Sequence, residues 1–192
     1  MSFPRKSRLA CLTLFAATLA RSIGAEEPTV PIGLQTELIA KVAGYDRHYL
    51  ARAGAKAHVL IVSKAGDPDS VKAANQAKAA LGALQEIAGL PHEEASITYS
   101  GAKALVDEIA KQSAAIVYIS SGLSNELAGI ADALTGKDVL TVAAIAGDVP
   151  KGVVLGFDLV SGKPKLLVHL TQARKQNAAF RAEALKLMKV YE

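Results

Sequence analysis

Tryptophan is absent from this chain, cysteine occurs once, at Cys11, and aromatic residues make up only 5% of the sequence. So low an aromatic content argues against a base-stacking nucleic-acid platform. A single thiol excludes an intrachain disulfide and any zinc site built on paired cysteines. The chain also lacks the glycine spacing of a P-loop or dinucleotide fingerprint, a G-x-S-x-G elbow and an H-x-x-x-H pair, and with them the familiar signatures of nucleotide, hydrolase and metalloprotease chemistry. Past the N-terminal region no run of about twenty uncharged apolar residues occurs, so no later transmembrane helix is expected. What is present is a sequence of 192 residues, 51% hydrophobic and 21% charged. That balance excludes intrinsic disorder and suits one α/β domain with a single core.

The net charge of +4 is unevenly distributed. Residues 1–25 begin with Arg5, Lys6 and Arg8, run through an apolar stretch over 9–20 and close on the small residues Ser22, Gly24 and Ala25. This tripartite order is expected of a secretory signal peptide, cleaved after Gly24 or Ala25. Cleavage removes Arg5, Lys6, Arg8 and Arg21 and no acid, leaving 18 basic residues against 18 acidic ones, and it removes Cys11 as well. A neutral remainder has no basic stripe for phosphates, so no nucleic-acid partner is expected and a periplasmic location is.

Residues 26–33, with Pro28 and Pro31, read as a flexible segment ahead of a single domain over 34–192. Leu34, Leu38, Val42 and Tyr45 recur at helical spacing and predict a first helix over 34–50. The runs AHVLIVS at 57–63 and AAIVYI at 114–119 lack polar alternation, as expected of strands covered on both faces. Helices are predicted up to residue 88 behind the capping residues Asp67, Asp69 and Ser70, over 102–110, and around Leu127, Ile130 and Leu134. With brief strands at 95–99 and 139–145, the strand–helix alternation implies a parallel sheet between helical layers. Val153, Leu155, Phe157 and Leu159 then alternate, as do Leu166, Val168 and Leu170, about a Ser161-Gly162 turn that predicts a hairpin. Ala173, Asn177, Phe180, Ala184, Leu187 and Tyr191 fall on one stripe and predict a last helix. The expected fold is therefore a three-layer α/β fold with a mostly parallel central sheet, a C-terminal antiparallel hairpin and a C-terminal helix.

Few residues invite chemistry. Lys64, Ser70, Ser120, Ser121 and Ser124 cluster at predicted carboxyl ends of parallel strands, where open α/β sheets receive small ligands and hydroxyls meet anions. The same serines are also ordinary helix caps. His48, His58, His92 and His169 fall in four separate elements, which predicts no metal site. Glu93-Glu94 reads as a solvated turn, and His169 as a hydrogen-bonded sheet residue. The polar run Tyr45-Asp46-Arg47-His48 interrupts an apolar helix and is either a salt-bridged helix end or a recognition patch. No catalytic residue and no cofactor are expected.

Gly152-Val153-Val154-Leu155-Gly156-Phe157, the hairpin, and the run from Leu167-Val168-His169-Leu170 through Ala173-Arg174 and Asn177 to Leu187 resemble the C-terminal part of the YfiR-like family of bacterial periplasmic proteins. Residues 115–121 and Val139-Leu140-Thr141-Val142 resemble its inner strands, and Tyr45-Asp46-Arg47 with Arg52-Ala53-Gly54 a subgroup pattern at the end of its first helix. His169 stands where the family usually has asparagine and Asn177 where it usually has glycine; asparagine too tolerates a left-handed backbone. The cysteines of disulfide-regulated members are missing. The resemblance implies a non-catalytic periplasmic regulator of a membrane-anchored diguanylate cyclase or sensor kinase, with consequences for cyclic-di-GMP and biofilm formation. Tyr45, Asp46 and Arg47 are the expected contact residues. A small-molecule or anion-binding protein using the strand-end loops is the alternative, and self-association is left open.

Overall fold

The computed structural model describes residue 1 and residues 28–192. The expected signal peptide and Cys11 lie outside the described residues, Met1 apart. Val30 is fully buried, and α1 (Ile32–Val42) begins just beyond it. The chain continues through β1 (Ala57–Lys64), α3 (Pro68–Gly82), β2 (His92–Tyr99), α4 (Ala102–Gln112), β3 (Ile116–Ile119), α5 (Leu127–Ala133), β4 (Leu140–Ala143), β5 (Leu155–Val160) and β6 (Lys163–His169), with a short α2 (Tyr49–Ala53) before β1. Three short elements close it: α6 (Leu170–Lys175), α7 (Ala182–Leu185) and β7 (Met188–Tyr191).

One seven-stranded sheet runs β2-β1-β3-β4-β5-β6-β7, parallel throughout except for the β5–β6 hairpin. Two buried clusters lie on its opposite faces. Val59, Ile61, Ile116 and Tyr118 join α1, α3 and the C-terminal segment, whereas Leu60, Val62, Val117 and Ile119 join α4 and α5. Successive strand residues alternate between faces, so residues 59–62 of β1 and 116–119 of β3 are apolar at every position. That is why their sequences show no polar alternation. The mixed α/β class with helices on both sides of the sheet is the expected one, and Ser161 and Gly162, both at positive φ (51° and 73°), make the hairpin turn.

Four local readings are corrected. The first helix does not reach residue 50: it stops at Val42, passes through a 3₁₀ turn (Ala43–Tyr45) and yields to Asp46, whose extended backbone bridges Phe180. Likewise α3 ends at Gly82 rather than at residue 88, and Ala88 takes φ 50°. Glu93 and Glu94 lie within β2, which pairs with β1 over its full length; Lys56 answers Glu93 at 2.5 Å and His92 contacts Glu94. The predicted last helix is divided. Asn177 at φ 53° breaks the chain after α6, and residues 188–191 add β7 to the sheet parallel to β6.

Candidate functional site

The strand order reverses between β1 and β3, since β1 connects outward to β2 and β3 onward to β4. Loops leaving the carboxyl ends of β1 and β3 diverge there, which is where such sheets bind ligands. Lys64 ends β1, Ser70 opens α3, and Ser120, Ser121 and Ser124 follow β3. Ser120 donates to the Val62 carbonyl at 2.7 Å, so its one proton is engaged and Ser70, 2.9 Å away, donates to Ser120. Ser70 in turn accepts from the Lys64 amide at 2.8 Å. Both hydroxyls are 0% exposed and knit the two loops together. Ser121 is buried beside them and Lys64 is half-buried.

Asp67 caps α3 by accepting from the amides of Asp69 and Ser70 at 3.1 and 3.0 Å. Its second oxygen faces Gly122, where a Cβ would lie 2.5 Å from Oδ2. Gly122 sits at φ +87°, a conformation that side-chain-bearing residues rarely adopt. The next loop is tied down too. Ser124 donates to Asp148 Oδ1 at 2.6 Å, Lys151 reaches the same oxygen at 3.2 Å, and Oδ2 of this fully buried carboxylate has no partner among the described residues. An open groove of about 720 Å³ runs from Gly66 and Asp67 along α3 past Val71 and Asn75.

A second constellation forms where α1 gives way to α2. Asp46 Oδ1 accepts from the amides of His48 at 3.1 Å and Ala179 at 2.8 Å, while Oδ2 accepts from Arg52 at 2.7 Å. Arg52 also donates to Asp138 at 2.7 Å and to the Asn177 carbonyl at 2.9 Å. His48 Nδ1 donates to that carbonyl at 2.8 Å, which puts the ring proton on Nδ1. Asp46 and Arg52 side chains are 0% and 2% exposed. Of the three expected contact residues, then, Asp46 is enclosed and shapes the surface from beneath, while Tyr45 and Arg47 are exposed. Arg52, already grouped with Asp46 by the family resemblance, completes the cluster together with Asp138 and Asn177, which come from distant parts of the chain and were not singled out for it.

His58 and His92 lie on the paired strands β1 and β2 one register position apart, and no group of three His, Cys, Asp or Glu side chains is gathered as for a metal ion among the described residues. Burial raises the Tyr49 hydroxyl well above its usual range, with nearby Arg52 opposing, and burial alone does the same to Tyr118, which donates to Gln35 at 3.0 Å. His169 ends β6 and caps α6, its Nδ1 accepting from the Gln172 amide at 3.3 Å. Burial, reinforced by Lys175, lowers its pKa.

The order β2-β1-β3-β4-β5 with helices on both faces makes this an open, doubly wound α/β sheet of the flavodoxin-like kind. Solved structures of similar fold include an ABC domain in complex with L-Trp from Streptococcus pneumonia, with 10% identity, TM-score 0.59, and 84% of this chain and 62% of that chain covered. A substrate-binding protein with adhesive properties from Clostridium difficile, in its ligand-free open form, gives 12% identity, TM-score 0.62, and 86% and 61% coverage. A conserved domain protein from Vibrio cholerae gives 16% identity, TM-score 0.55, and 84% and 60%. At such identities the likeness is one of fold, and this chain spans about three-fifths of each of those chains. The comparison with curated proteins found no match. A family model described as YfiR/HmsC-like (DUF4154) matches residues 71–189. The chain belongs to the YfiR/HmsC-like family.

Proposed function

We propose that this chain is a non-catalytic periplasmic regulator that binds the periplasmic domain of a membrane signalling protein, such as a diguanylate cyclase or a sensor kinase, and shifts its activity. The family match over residues 71–189 carries the reading. Residues 1–25 act as the export signal, and residues 34–192 as one regulatory domain behind a short leading segment. No helix among the described residues is long and apolar enough to cross a membrane. Tyr45 and Arg47 make the contact, on a turn that Asp46 holds rigid. Deleting the gene and restoring it tests this. Signalling output, read as cyclic-di-GMP or kinase autophosphorylation, should change on deletion and return with the wild-type protein. Output that is indifferent to the deletion contradicts it.

The strand reversal between β1 and β3 supports a second reading, a small-molecule or anion-binding protein. Ser70, Ser120 and Ser124 frame that site through their internal hydrogen bonds, and Lys64 and Ser121 meet the ligand. Anions and metabolites that raise the melting temperature by mass action support it, and a Lys64→Ala/Ser121→Ala variant that keeps the same shift argues against these positions.

A further inference from the structure

Tyr45–Arg47 and residues 179–181 form a miniature antiparallel ladder. Arg181 N–H donates to the Tyr45 carbonyl and Arg47 N–H to the Ala179 carbonyl, both at 2.9 Å, with Asp46 bridging Phe180 between them. Side chains alternate across a ladder. Asp46 and Phe180 point inward, at 3% and 8% exposure, so Tyr45, Arg47 and Arg181 share the outer face, and all three are exposed. Neither guanidinium belongs to an ion pair among the described residues: Asp46 and Asp138 are both held by Arg52, and Glu183, exposed two residues beyond Arg181, is paired with neither arginine.

We propose that this aromatic–diarginine face docks an acidic segment of a partner protein, an inference that rests on the regulator reading above. Guanidinium forks match carboxylates bidentately, and an incoming acid need break no existing pair to reach them. Tyr45 supplies rigid contact area at small entropic cost, and Tyr and Arg are, with Trp, the residue types enriched among those that carry binding energy at protein interfaces. The Asp46–Arg52 network beneath fixes the backbone on both sides of the ladder, so little ordering remains to be done on binding. Two arginines on a chain whose charge beyond residue 25 balances at 18 against 18 fall short of the polybasic cluster that anionic lipid requires. The occupant is therefore protein rather than membrane.

Calorimetric titration of the purified protein with oligoglutamate, oligoglutamine and phosphatidylglycerol vesicles tests this, at low and high salt. Oligoglutamate should bind, oligoglutamine should not, and the affinity should fall about tenfold or more with salt. Arg47→Glu/Arg181→Glu should abolish binding, whereas Lys72→Glu/Lys78→Glu, the same charge change on the exposed side of α3, should retain it. The proposal is overturned by no oligoglutamate binding, by equal loss in both variants, or by binding to vesicles alone. In the deletion strain the Arg47→Glu/Arg181→Glu variant should fail to restore output. Full restoration by it sinks the acidic dock and leaves the regulator reading intact, while failure of the wild-type protein to alter output sinks the regulator reading and leaves the titration to judge the surface.

Discussion

Asp46 carries a carboxylate into a position closed to solvent, where three donors from two distant segments converge on it, His48 and Arg52 from its own side of the chain and Ala179 from the C-terminal part. Removing that carboxylate leaves the amides of His48 and Ala179 without their acceptor and takes from the buried Arg52 one of its two carboxylates, Asp138 remaining, and each unsatisfied group costs about 1–3 kcal/mol. Asp46→Ala should therefore destabilise the protein by about 3–5 kcal/mol, read from the urea midpoint. A loss under about 1 kcal/mol, the value of an exposed pair, contradicts this account. His169 provides a pH-dependent counterpart. Its depressed pKa means that the unfolded chain takes up the proton first as pH falls. Its contribution to stability is then complete above the ordinary imidazole pKa and is lost as pH drops through the lower, folded value. His169→Asn should keep an acceptor for the Gln172 amide and flatten that slope in urea midpoints between about pH 8 and about pH 5. His169→Ala should lose about 1 kcal/mol with the cap while the wild-type ring is neutral, and less as pH falls and the protonated ring can no longer accept from the Gln172 amide.

Among the elements, β1 and β3 were legible in the sequence because burial on both faces forces an unbroken apolar run, and Ser161-Gly162 because the turn demands positive φ at both positions. The C-terminal segment was not. Ala178, Phe180, Ala184 and Met188 all face one cluster, at spacings that a helix and an irregular chain satisfy equally well. What decides between them is the tie from Asp46 to the Ala179 amide, which spans 133 residues and leaves no local trace. The same holds for the candidate site. Tyr45 and Arg47 stood out as a polar interruption, but Arg181 joins them only through the ladder, and at the strand ends Ser70 and Ser120 bond each other while Ser124 bonds Asp148. Glycine at 122 has a sharper meaning in the structure than in the sequence. It lets the β3 loop approach the Asp67 carboxylate at positive φ. Gly122→Ala should cost about 1–3 kcal/mol and lower the melting temperature, whereas an unchanged melting temperature means that the loop has room to retreat.

For the molecule as a whole, a regulator that works by binding must prefer one state of its partner. Driving a two-state partner from almost wholly active to almost wholly inactive takes a preference of about 10⁴-fold, and weaker discrimination gives a graded response. A preorganised face such as the one proposed at Tyr45, Arg47 and Arg181 suits that task, since its affinity would come from geometry that the partner either matches or does not. Each face of the sheet is already covered by its own helices, so a partner meets the outer sides of those helices or the turns at the ends of the sheet. The proposed dock is the turn at Tyr45, backed by the strapped C-terminal segment. The most direct measurement is photocrosslinking in intact cells from a probe at position 45. The account predicts a crosslink to a membrane-anchored signalling protein that disappears in the Arg47→Glu/Arg181→Glu background. A probe at 45 that captures no such protein, while one at Lys72 on α3 does, contradicts it.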